Sequence, residues 1–70
     1  IQTDLTRNHN KFWTIRLFGD GTCEVHWGRV GETGQRQVKR GMGEAWFASR
    51  CREKESGGYR PAQTLGNGAD

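Results

Sequence analysis

Residues 12–27 read FWTIRLFGDGTCEVHW, two alternating runs about a Gly-Asp-Gly turn. In the first run Trp13, Ile15 and Leu17 share one face, while Phe12, Thr14, Arg16 and Phe18 share the other. In the second, Thr22 to Trp27, the residues Cys23, Val25 and Trp27 share a face opposite Glu24 and His26. A period of two is the signature of a strand with one buried side. Gly19, Asp20 and Gly21 all tolerate the positive φ of a tight turn, so the two runs predict a β-hairpin.

Working outward, Gln35 to Arg40 reads as a third strand in which Val38 is the one clear apolar residue, ended by Gly41-Met42-Gly43. Glu44 to about Ser56 is the one good helix: Phe47, Ala48 and Cys51 form a stripe flanked by Lys54, and Glu44 suits the positive end of the helix dipole. Gly57-Gly58 supplies the stop, and Tyr59-Arg60 could add a short strand. Residues 1–10 are polar without clear periodicity, with Asn8-His9-Asn10 as a turn, and Pro61 to Asp70 reads as a flexible tail. The domain is therefore placed at residues 10–60, after a polar N-terminal segment at 1–9 and before a tail at 61–70. One-faced strands and a one-faced helix must bury their apolar sides on each other. That implies an α+β fold, a small antiparallel β-sheet with one α-helix packed across one face.

Seventy residues allow one domain, and a chain this short buries only about 60% of its unfolded surface. Hydrophobic residues are 31% of the chain, so the three Trp, three Phe and one Tyr must carry much of the core. Eleven Gly and one Pro favour a turn-rich fold over a helical bundle. No apolar run is long enough for a signal peptide or a membrane helix. Cys23, Cys51, His9 and His26 match no usual zinc spacing, so neither metal nor cofactor is expected, and the cysteines read as small buried hydrophobes. The chain opens on Ile1 rather than Met, which reads as a trimmed start or a piece of something longer. A cytoplasmic setting is expected by default.

Chemistry concentrates at residues 27–35, WGRVGETGQ. Trp27 reads two ways: core packing in line with Cys23 and Val25, or an exposed indole able to stack on a base or sugar. Gly28 removes bulk beside the ring and lets another molecule approach. Arg29 offers a bidentate fork to phosphate, or a surface ion pair with Glu32 of little energetic weight. Gly31 and Gly34 could form a nest of N–H groups for an anion, or merely a turn. Arg29 to Arg60 holds eight bases against four acids, and Gln35 to Arg40 adds Arg36, Lys39 and Arg40 with no acid. Such a patch suits phosphate contacts, although charge also serves solubility. Trp46 reads as a rim residue with Arg50 over its ring. No catalytic set of nucleophile, base and acid is evident, so the chain reads as a binding module and not an enzyme.

These residues resemble the WGR domain. Asn10-Lys11-Phe12-Trp13 is similar to the opening of that family's first strand. Trp27-Gly28-Arg29-Val30-Gly31 with Gly34-Gln35 is similar to its signature loop, and Ala45, Phe47, Glu53-Lys54 and Gly58-Tyr59 to its helix and exit. The resemblance spans about residues 10–60. Such domains occur in DNA-damage-responsive poly(ADP-ribose) polymerases and in bacterial proteins, and the compact form here looks like the bacterial type, for which a nucleoid-associated location is open. The resemblance implies binding of DNA ends or strand breaks, with Trp27 packing against the terminal nucleotide and Arg29 contacting phosphate or a neighbouring domain. Asn10, Gln35, Lys39, Arg40 and Tyr59 are further candidates by nearness. The alternative partner is a protein or neighbouring domain docked on the same Trp27/Arg29 surface; no membrane partner is expected.

Overall fold

A computed structural model describes residues 1–62. The expected hairpin is its centre: β2 (Lys11–Leu17) and β3 (Cys23–Arg29) pair antiparallel, with Trp13 opposite Trp27, Ile15 opposite Val25 and Leu17 opposite Cys23. Gly21 closes the turn at φ 88° and donates to the Phe18 carbonyl at 3.0 Å. The Asp20 carboxylate accepts the Thr22 N–H at 3.0 Å, and that bond holds its pKa below the usual value. The third strand forms as β4 (Gln35–Lys39), antiparallel to β3. Its Val38 stays 52% exposed, because alternation turns Gln35, Gln37 and Lys39, not Val38, toward the face that carries Trp27.

Residues 2–7, set ahead of the domain in the sequence reading, belong to the sheet. They form β1 (Gln2–Arg7), which pairs with β2. The strand was hidden because its inward face offers one large apolar side chain, Leu5, which lies opposite Trp13 and is 1% exposed. Its outward face is held by polar contacts instead, with the Thr14 hydroxyl donating to the Asp4 carboxylate at 2.8 Å. The link to β2 is the expected turn, with Asn8 and His9 at φ 55° and 61°. A short β5 (Arg60–Pro61) adds to the free side of β1, and Ala62 donates to the Asp4 carbonyl. Pro61 and Ala62 are thus part of the sheet edge; the rest of the segment 61–70 lies outside the described residues. The strand order is β4-β3-β2-β1-β5.

The helix α1 (Gly43–Ser56) crosses the sheet over β2. Gly43 N–H donates to the Gly21 carbonyl at 2.9 Å, so the hairpin turn satisfies an open donor of the helix start and docks it. The exit is a Schellman turn. Tyr59 N–H reaches the Lys54 carbonyl and Gly58 N–H the Glu55 carbonyl, both at 3.1 Å, with Gly58 at φ 105°. Phe47 enters the core with Leu5, Trp13, Ile15, Cys23 and Val25. The Arg50 guanidinium stands over the Trp46 ring at 5.6 Å, as the spacing suggested. Lys54 Nζ sits between the rings of Trp13 and Tyr59, 5.8 and 5.9 Å from their centroids, joining helix end to sheet. Cys23 and Cys51 are free, and burial pushes both thiols up, which keeps them protonated and poorly nucleophilic at neutral pH.

Candidate nucleic-acid interface

Strand alternation places Trp27 on the helix-bearing face between Trp13 and Gln35. Its ring is half-buried and packs against the core cluster. Both sequence readings therefore hold in part. One side of the indole belongs to the core, and the remainder lines an open groove of about 450 Å³. Lys11, Arg29, Glu32, Gln35 and Tyr59 complete that groove with the backbone of Gly28 and Gly34. Lys11 faces Arg29 across the β2/β3 ladder, so two cations stand together at the end of the hairpin.

The loop that shapes the groove is fixed by close packing. A Cβ on Gly34 (φ 76°) would lie 2.4 Å from the Trp27 carbonyl oxygen and 2.9 Å from Phe12 Cζ. A Cβ on Gly28 would lie 2.7 Å from Gly34 Cα. The backbone packed against Gly28 on the Cβ side is thus the chain's own, while Gly28 also lines the open groove. Gly34 likewise serves packing, while Gly31 (φ 93°) has open space around it. From the other face of the sheet, His26 Nε2–H donates to the Thr33 carbonyl at 2.6 Å, and its ring meets Phe12 edge-on at 4.9 Å. Val30 N–H donates to the Asn10 carbonyl at 2.9 Å, and Glu32 N–H to the Arg29 carbonyl at 3.0 Å.

Of the residues singled out by sequence, Trp27, Gly28, Arg29, Gln35 and Tyr59 come together in the groove. Asn10 stays beside it, bracing the loop through its backbone. Arg36 does not join them. It lies across from His26 on the opposite face, with Nε 3.1 Å from Glu24, which also meets Arg16 at 3.8 Å. Arg40 lies past β4 beside Phe18, Asp20 and Thr22, at the hairpin turn. Lys39 shares the Trp27 face but lines a second groove. Among the described residues, Arg29 forms no ion pair with Glu32 or any other carboxylate. Lys11 and Glu32 are absent from the sequence-based set. The signal for Lys11 was available, since it precedes Trp13 by two and so shares its face. Among the described residues no three His, Cys, Asp or Glu side chains gather to hold a metal ion. No helix there is long and apolar enough to cross a membrane.

A half-buried indole on β3, beside a pair of strand-held cations and next to a loop packed by Gly28 against Gly34, falls on the Trp-Gly-Arg motif of the sequence. The WGR domain family matches residues 1–65, and the chain belongs to it. It is 46% identical over 41 residues to protein mono-ADP-ribosyltransferase PARP3 of Homo sapiens, and 45% identical over 40 residues to the Mus musculus protein of the same name. Each alignment covers 53% of this chain, which spans 8% of either relative's length. Both relatives are mammalian, whereas the compact form had suggested the bacterial type. No solved structure gives a significant match.

Proposed function

We propose that this chain is a nucleic-acid-binding module that grips DNA ends or strand breaks without reading sequence. The observation that carries this reading is the groove itself, where the Trp27 indole is held beside Lys11 and Arg29. Bases inside a duplex are covered on both faces by their neighbours, so an aromatic face that stacks needs an uncovered base, and a duplex terminus or nick supplies one. Stacking tolerates any base, and cation-to-phosphate contacts carry no sequence information. The cations set orientation and affinity, and the ring selects the end. The relatives are named as ADP-ribosyltransferases. The reading takes no activity from that name, since this chain spans 8% of either relative's length.

Binding of a short blunt-ended duplex should fall roughly 10- to 100-fold between about 50 and 200 mM salt, the slope of two to three phosphate contacts. Trp27→Ala should weaken it roughly 5- to 150-fold, the range of one lost stacking contact, and Arg29→Gln should flatten the salt slope. Competition between linear and closed circular duplex decides the end-specific part: equal affinity for both would overturn it. A protein that shows no salt-sensitive DNA binding, yet loses a protein partner on Trp27→Ala, belongs instead to the interaction modules.

A further inference from the structure

Beside the first groove lies a second, of about 540 Å³, between α1 and β4. Trp27 lines both, so the two meet at its ring. The second also carries the half-buried indole of Trp46, the Met42 side chain and three cations, Lys39, Arg50 and Lys54. No acid lines it; the nearest carboxylate partner, Glu53, holds Arg50 from its own helix. Lys54 is engaged with the rings of Trp13 and Tyr59.

We infer that this second groove is a subsite for an unpaired base of single-stranded nucleic acid, running on from the end held at Trp27. The inference rests on the reading of the first groove and extends it. Two indoles in a surface with three cations and no acid suit a ligand that pairs flat aromatic faces with regular negative charge, which is a polynucleotide strand. An apolar peptide helix would bury those cations without partners, which is unfavourable. Bases inside a duplex are covered on both faces, so the ligand must be splayed out, as in an overhang, a gap or a frayed end. The base stacks on the Trp46 ring in place of the Arg50 guanidinium that stands over it, and Arg50, so displaced, joins Lys39 on the flanking phosphates.

Three labelled probes test this against the 70-residue chain: a blunt duplex, and the same duplex with a three-nucleotide 3′ or 5′ overhang. The wild-type protein should bind one of the overhang probes about tenfold more tightly than the blunt one, the increment of one stacked base. Trp46→Ala should remove that gain and leave blunt-end affinity unchanged. Gln37→Glu, an exposed position lining the same groove, should remove it too by placing a negative charge there, with the indole and fold untouched. Equal wild-type affinity for all three probes overturns the inference and leaves the reading of the first groove standing. So does a Trp46→Ala protein that loses blunt and overhang binding alike. Failure to bind any of the three overturns both.

Discussion

Gly34→Ala is expected to destabilise the chain by about 2–5 kcal/mol. A left-handed backbone costs a residue with a Cβ about 1–2 kcal/mol, and Gly34 sits at φ 76°. The methyl group would also press on the Trp27 carbonyl oxygen, 2.4 Å away, and on Phe12. That carbonyl is part of the β3 backbone and cannot swing aside as a flexible side chain would. Overpacking of this kind adds about 1–3 kcal/mol. On a per-residue scale of about 0.05–0.15 kcal/mol the whole domain holds only about 4–10 kcal/mol, so much of the variant should be unfolded or carry a displaced loop at room temperature. Urea unfolding followed by Trp fluorescence measures the loss. A shift below about 1 kcal/mol would mean that the loop yields easily and that the groove is not held by this contact. Gly31→Ala is the control: the position has open space, and only the cost of φ 93° applies.

Trp13→Ala should be at least as severe, with a loss of about 3–5 kcal/mol for a large aromatic removed from a core. Trp13 is 2% exposed, faces Leu5 on one neighbouring strand and Trp27 on the other, and lies beneath Lys54. It therefore supports the sheet, the helix end and the inner side of the Trp27 ring at once. Calorimetry should show the transition lost or displaced far below that of the wild type, whereas Val38→Ala, at a half-exposed site on the solvent face, should move it little. A Trp13→Ala protein that still unfolds cooperatively near the wild-type temperature would contradict the placement of this ring at the centre of the core.

The hairpin, the helix and its glycine exit were all legible because each rests on local pattern: alternation from Phe12 to Trp27, a stripe through Phe47 and Cys51, and Gly58 in the Schellman turn. β1 was not legible, because only Leu5 anchors it and the rest of its support comes from pairing with β2 and β5. The site divides in the same way. Trp27, Arg29 and Gln35 could be placed from the motif. The bases of Gln35–Arg40 were counted as one patch, although a period of two sends Arg36 to the Glu24 face and leaves Lys39 beside α1. Nor does spacing reveal that Gly28 and Gly34 lock against each other, or that Trp46 and Trp27 line one groove. Those facts depend on how β4 and the helix pack across the sheet, and no single segment encodes them.

The proposed role of the Trp27 groove is to receive a DNA end. It is tested most directly by following the amide signals of the protein while a short blunt-ended duplex is added at low and then moderate salt. The expected result is a set of shifts at Lys11, Trp27, Arg29, Gln35 and Tyr59 that fades as salt rises, with Arg16, Glu24 and Arg36 on the opposite face unmoved. An unchanged spectrum, or shifts centred on the Arg16–Glu24–Arg36 face, would contradict it.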